Sequence, residues 1–104
     1  MSTIAFSTHH VELLDEGALD VQQLAGGCGM SPEWVCLRVA AGTLRPVTGA
    51  SASDWRFASV SLHRARRLAH IEITFDADPQ LAALTTDLLE EVQRLRHQLA
   101  RSAG

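Results

Sequence analysis

Residues 29–46 constrain the fold most, because they carry both the start and the stop signals of a short helix. Ser31 suits the N-cap position, where its hydroxyl accepts a free backbone N–H, and Pro32 suits the first helical position. Gly42 can adopt the left-handed conformation that closes a helix, and Pro46 follows where helix cannot easily resume. The sequence therefore predicts a helix of about three turns, which must pack against neighbours to be stable.

Composition limits the kind of protein that this helix belongs to. A chain of 104 residues that is 46% hydrophobic suits one mainly helical domain with a modest core. No apolar run approaches the roughly 18 residues of a membrane span, and the N-terminus lacks the order of a signal peptide, so a cytoplasmic protein without membrane contact is expected. Cys28 and Cys36 are interpreted as buried thiols. No cofactor, metal site or catalytic residue is expected.

A second short helix is predicted upstream of the first. Asp20 can cap it, and Gly26 and Gly27 are expected to end it, because glycine weakens a helix interior. Two short helices joined by a few residues predict a helix-turn-helix over about residues 20–46.

Short β elements are predicted on both sides of this pair. Residues 3–14 show some alternation of apolar and polar side chains, which predicts an edge strand. Residues 47–58 combine a small-residue loop with the alternating Trp55 and Phe57, which indicates a small wing. The two aromatic rings are interpreted either as a cover over the core or as an exposed contact.

A third helix is predicted over about residues 59–70, with a basic cluster at residues 63–67 on its outer side. This cluster is either a solvated helix face or a contact for an anionic partner. Residues 71–75 alternate apolar and polar side chains, so a short strand or an extended connection is expected there.

The last helix is predicted over about residues 78–101, starting at an Asp78 cap. Its apolar residues recur three or four positions apart and form one stripe: Leu81, Leu84, Leu88, Val92, Leu95 and Leu99. The outer half would expose this stripe in a monomer. A homodimer is therefore predicted, with an interface of Leu88, Val92, Leu95 and Leu99. A helix folded back over the domain is the alternative.

The order of these features resembles a known family. The strand, the helix-turn-helix that ends in Gly-Thr-Leu-Arg-Pro at residues 42–46, the aromatic wing at residues 55–57 and the closing Asp-Leu-Leu-Glu-Glu-Val-Gln-Arg-Leu-Arg at residues 87–96 are similar to the chaperone-modulator CbpM family. That family is itself similar to the DNA-binding half of MerR-type regulators. The resemblance covers about residues 11–101 and implies a winged helix-turn-helix fold with a long C-terminal helix.

The resemblance also implies a non-catalytic function. CbpM proteins bind the J-domain of the DnaJ-like co-chaperone CbpA, hinder its work with the heat-shock chaperone DnaK, and look like dimers joined through helices. An acidic partner suits the basic helix of a J-domain. Two surfaces are candidates: the acidic Asp87, Glu90 and Glu91, and the apolar Trp34 and Leu37. A solvated face for the acids and a core role for the apolar pair are the alternatives.

A MerR-type transcription regulator is the competing hypothesis. It would use Arg38, Arg45, Arg56 and residues 63–67 on phosphates. Negligible DNA binding is predicted instead, because the chain carries a net charge of −3 and the second helix of the pair is poor in basic residues. Residues 71–78 are longer and more strand-like than the short turn that CbpM proteins would have there.

Overall fold

The computed structural model describes residues 17–103, and within them four helices account for most of the chain. They are α1 (Val21–Cys28), α2 (Pro32–Ala40), α3 (Ser59–Thr74) and α4 (Pro79–Ala103). Helix α1 packs against both α2 and α3, and α3 packs against α4. The mainly helical class is confirmed, whereas the winged helix-turn-helix arrangement stays a prediction. The predicted strand over residues 3–14 lies outside the described residues.

The predicted caps are present at three helices. The Asp20 side chain accepts from the Gln23 backbone N–H at 2.8 Å, and the Gln23 side chain accepts in return from the Asp20 N–H at 2.9 Å. Ser31 Oγ accepts from the Trp34 N–H at 3.1 Å, with Pro32 opening α2. Asp78 Oδ1 accepts from the Leu81 N–H at 2.9 Å at the start of α4. Short-range capping chemistry was therefore read correctly from the sequence.

The segment between α2 and α3 forms isolated antiparallel bridges, Thr48 with Arg56 and Leu19 with Phe57. Phe57 is fully buried, and the half-buried Trp55 meets its ring edge-on with the centroids 6.4 Å apart. The interpretation of this pair as a cover over the core is confirmed for Phe57. The hydrophobic core joins this segment to α1, α2 and α3. Its fully buried members include Leu24, Val35, Leu44, Phe57, Ala65 and Leu68.

The prediction of a strand or extended connection at residues 71–75 is wrong. Helix α3 continues to Thr74, and Phe75 stands at its C-cap. The alternation of apolar and polar residues suggested a strand, but the segment also continues the helical spacing of Leu68 and Ile71, both of which are buried. Tertiary packing of that face outweighs the weak local preference against helix.

The prediction that Gly26 and Gly27 end the helix capped by Asp20 is also wrong. Helix α1 runs through both residues to Cys28 and ends at Gly29, whose φ of 75° is the left-handed value that closes a helix. A Cβ at position 27 would lie 2.7 Å from Leu62 Cδ1, so the missing side chain lets α1 approach α3 closely. Position 26 has open space around it.

Helix α4 is joined to the body by its first two turns. Ala82 and Thr86 are its buried residues, and both lie on the side that faces α3. From residue 87 to residue 103 every side chain is exposed. The outer half of the helix, residues 88–103, therefore extends beyond the core of this chain.

Candidate interaction surfaces

A buried polar cluster joins α2 to α3. The Trp34 indole Nε1–H donates to Glu72 Oε1 at 2.9 Å. Arg38 donates to the same carboxylate through Nε at 2.9 Å and Nη2 at 2.7 Å, and its guanidinium lies 4.8 Å from the centroid of the Trp34 ring. Both charged side chains are about nine-tenths buried. Two-pronged pairing of this kind compensates much of the cost of removing the charges from water.

The cluster decides the role of Trp34, which is 7% exposed and belongs to the core. Of the two roles expected for the apolar pair, the core role holds for this residue, and a contact surface that includes Trp34 is not what the structure shows. Leu37, three residues further along α2, is 62% exposed. Leu37 is thus the member of the pair that a partner could reach.

A second polar cluster, around Arg64, holds α4 against α3. Arg64 donates through Nε to the Thr43 carbonyl at 2.7 Å, through Nη1 to Glu90 at 2.7 Å and through Nη2 to Asp87 at 2.8 Å. Burial of the guanidinium opposes its charge, but the hydrogen bonds that it donates to Asp87 and Glu90 outweigh this effect and raise the pKa of Arg64. Arg64 was expected to lie largely outside, and the structure instead places it between the two helices.

The predicted acidic surface is present on the outer side of this cluster. The side chains of Asp87, Glu90 and Glu91 are about half exposed even though each has an arginine partner. Glu91 pairs with Arg94 one turn further along, and that hydrogen bond lowers the pKa of the Glu91 carboxyl. A carboxylate has more acceptor sites than one arginine fills. These three groups can therefore still receive donors from a basic partner.

The predicted dimer residues form an exposed stripe along the outer half of α4. Leu88, Val92, Leu95 and Leu99 are between 43% and 69% exposed. Leu81 and Leu84 continue the stripe towards the N-terminus of the helix and are also exposed. Monomeric proteins rarely leave an apolar strip of this length in water.

An apolar groove lies beside the N-terminal part of this stripe, at the corner between α3 and α4. It encloses about 400 Å³ and is lined mainly by Ile71, Phe75, Leu81 and Leu89, with Arg67 among the polar lining residues. Phe75 is largely exposed at its edge. The groove and the stripe share Leu81, so they form one continuous apolar surface.

Residues 17–103 contain no group of three or more His, Cys, Asp or Glu side chains placed to hold a metal ion. Cys28 and Cys36 are half-buried free thiols. Burial raises the pKa of the Cys28 thiol, which keeps it protonated and weakly reactive at neutral pH. No helix in the described part of the chain is long and apolar enough to cross a membrane.

Comparison of the chain with models of known protein families, with curated proteins and with solved structures gave no match.

Three residues that organise these surfaces were missed by sequence reasoning. Glu72 was assigned to an extended segment, Arg64 either to a solvated face or to a contact with an anionic partner, and Leu89 to no surface at all. The helical spacing from Leu68 to Ile71 was a signal that α3 continues past residue 70. No comparable signal pairs Glu72 with Arg38, because 34 positions separate them in sequence.

Proposed function

We propose that this protein is a chaperone modulator: a non-catalytic dimer that binds the J-domain of a DnaJ-like co-chaperone of the CbpA type and hinders its work with DnaK. The observation that carries the proposal is the half-exposed carboxylate surface of Asp87, Glu90 and Glu91 on α4. A basic helix on the partner would supply complementary charge, which steers encounter and selects the partner.

The competing role as a DNA-binding regulator is weaker, because two of its expected phosphate ligands are occupied within the protein. Arg38 is buried against Glu72, and Arg64 binds Asp87 and Glu90. Releasing either arginine for a phosphate would leave carboxylates unpaired. Electrostatic contacts supply most non-specific affinity for DNA, so losing two cations from a small set lowers it substantially.

Titration calorimetry of the protein with the J-domain of the cognate CbpA-type co-chaperone tests this function. We expect binding that weakens as salt is added, because the contact is between opposite charges. Glu91→Lys should weaken binding, whereas Asp54→Lys, an equal charge change in the loop after α2, should weaken it less. No heat of binding at about 100 µM contradicts the proposal. Sub-micromolar binding to a DNA duplex with steep salt dependence would favour the regulator instead.

The homodimer within this proposal is tested by combining Leu88→Glu with Leu95→Glu. Two charges in the middle of the exposed stripe should dissociate the dimer without unfolding the body, because both side chains are exposed in the single chain. Leu37→Glu combined with Val60→Glu is the matched control, since it places two charges on exposed apolar positions outside α4. Sedimentation should give a halved mass for the first pair and an unchanged mass for the control. An unchanged mass for the first pair contradicts the α4 interface.

A further inference from the structure

The apolar groove at the α3–α4 corner has the shape of a straight cleft. Each helix contributes three side chains placed four positions apart: Arg67, Ile71 and Phe75 from α3, and Leu81, Thr85 and Leu89 from α4. Side chains four positions apart lie on one face of a helix, and eight positions span about 12 Å. The cleft therefore runs for about 12 Å between the two helices.

The two ends of this cleft differ in character. Arg64, one turn before Arg67, binds carboxylates within residues 87–90, so the start of α3 lies beside that part of α4. Phe75 and Leu81 stand on either side of the turn that joins the helices. The cleft thus has an apolar end at the turn and the Arg67 guanidinium at the other end.

The turn that closes the apolar end is held by local contacts. Asp76 has a φ of 50°, a left-handed value that aspartate tolerates better than most residues. The Phe75 N–H donates to the Ile71 carbonyl at 3.1 Å before the turn, and the Asp78 side chain caps α4 after it. A cleft formed before its ligand arrives costs less free energy to fill.

The lining offers few polar groups to a ligand. The Thr85 hydroxyl donates to the Leu81 carbonyl at 2.8 Å and so brings no unpaired donor. The exposed His70 has Nδ1 3.3 Å from the Thr74 hydroxyl, and its ring meets Phe75 edge-on. Within residues 17–103, no acidic side chain lines the cleft. Its charge is therefore positive and comes from Arg67.

Arg67 differs from the other arginines of α3 because it is free to bind a ligand. Arg64 is engaged by two carboxylates, and Arg66 donates to the Gly27 carbonyl at 2.9 Å. In the described part of the chain Arg67 has neither a hydrogen-bond acceptor nor an acidic partner. One uncommitted cation at the end of an apolar cleft complements a molecule with one anionic group and an apolar tail.

We propose that this cleft binds a medium-chain fatty acid, a function beyond the proposed chaperone modulation and independent of it. The carboxylate pairs with Arg67, and the alkyl chain lies along the cleft towards Phe75. Asp76 and Asp78 in the turn disfavour the reverse orientation. An extended carbon chain advances about 1.2 Å per bond, as an extended backbone does, so about ten carbons fill the cleft. The volume of about 400 Å³ is in the usual range of ligand sites.

Titration calorimetry with hexanoate, octanoate, decanoate and dodecanoate, each below its micelle concentration, tests the length of the cleft. Affinity should rise about fourfold per added methylene and level off near ten carbons, where the chain outgrows the cleft. Decylamine, which has the opposite charge, should bind at least about tenfold more weakly than decanoate. No binding of decanoate at about 1 mM, or equal binding of the amine, overturns the proposal.

Substitutions at the two ends of the cleft test the location of the site. Arg67→Gln should weaken decanoate binding about tenfold and leave the binding of uncharged decanol unchanged. Arg66→Gln removes the same charge outside the cleft and is the matched control. Phe75→Ala should weaken both ligands about tenfold, whereas Ile73→Ala, equally exposed but outside the cleft, should weaken neither. Equal losses in a variant and its control contradict the site.

The ligand-free Phe75→Ala variant shows whether something else already occupies the cleft. Phe75 is 69% exposed, so its truncation should change neither the urea midpoint nor the sedimenting mass by more than Ile73→Ala does. A lower urea midpoint at constant mass would mean that the protein's own chain fills the cleft. A changed mass would mean that a second copy covers it. Either result overturns the proposal.

Discussion

The two arginine clusters of this protein use the same chemistry in different surroundings. Arg38 binds Glu72 beneath a tryptophan ring, with both charges about nine-tenths buried, and Arg64 binds Asp87 and Glu90 at the rim, where the carboxylates are about half exposed. Each joins two helices through side chains distant in sequence. The difference in burial shows that the first cluster is part of the core, whereas the second lies at a surface that water and a partner can reach.

Removal of the carboxylate from the buried cluster should have the largest effect. Glu72→Ala leaves the Arg38 guanidinium buried without its partner and the Trp34 N–H without an acceptor, so we expect a loss of about 3 to 5 kcal/mol of unfolding free energy. Urea denaturation measures it. Glu33→Ala, at an exposed position of α2, is the control and should change stability little. A loss below about 1 kcal/mol would show that water reaches the cluster freely.

Truncation of the Trp34 ring beside this carboxylate should lower the free energy of unfolding by a similar amount. Trp34→Ala removes a buried aromatic side chain and should destabilise the protein by about 3 to 5 kcal/mol. Trp34→Phe keeps most of the packing and removes the N–H, so a loss of about 1 to 2 kcal/mol is expected. Leu37→Ala on the exposed side of the same helix is the matched control. A melting temperature that is unchanged in Trp34→Ala would mean that Trp34 is not a core residue.

Disruption of the rim cluster should have a smaller and salt-dependent effect. Arg64→Ala removes three hydrogen bonds but leaves carboxylates that water can solvate, so we expect a loss of about 1 kcal/mol. The same variant should strengthen binding of a basic J-domain, because it frees the carboxylates of Asp87 and Glu90. Denaturation at low and high salt measures the first effect, and a loss as large as that of Glu72→Ala would erase the distinction between the clusters.

The smallest effect is expected at the solvated pair of Glu91 and Arg94 on the outer half of α4. Arg94→Gln removes the hydrogen bonds to Glu91, and both side chains are solvated with or without them. No measurable change in unfolding midpoint is expected. A clear destabilisation would show that this region is packed against something in solution, and its dependence on protein concentration would identify that neighbour as a second copy.

Much of the fold was predictable because its signals are local. The Ser31 cap, the Asp20 capping box and the Asp78 start each depend on side chains within three residues of the backbone groups that they bind. The apolar stripe of α4 was predictable because it follows the period of a helix. The errors arose where a distant contact overrides a local preference. The contacts of Glu72 and Ile71 keep α3 helical against a strand-like pattern. Leu62 packs against Gly27, which lies inside α1.

The surfaces were predictable only in part for the same reason. The exposed leucines and the acidic residues of α4 could be assigned from periodicity and charge. A core role for Trp34 was one of two alternatives left open, and the pairing of Arg64 could not be assigned, since both depend on residues in another helix. A carboxylate 38 positions from Trp34 and two carboxylates more than 20 positions from Arg64 leave no pattern in one sequence.

The outer half of α4 also determines how fast its backbone amides exchange with solvent deuterium. Beyond Glu90, which binds Arg64, the side chains of residues 91–103 are all exposed, and an isolated helix of this length is only marginally stable in water. In a single chain these amides would open locally and exchange long before those of α2 or α3. Protection there can then come only from another molecule, so exchange along α4 maps the extent of its contacts turn by turn.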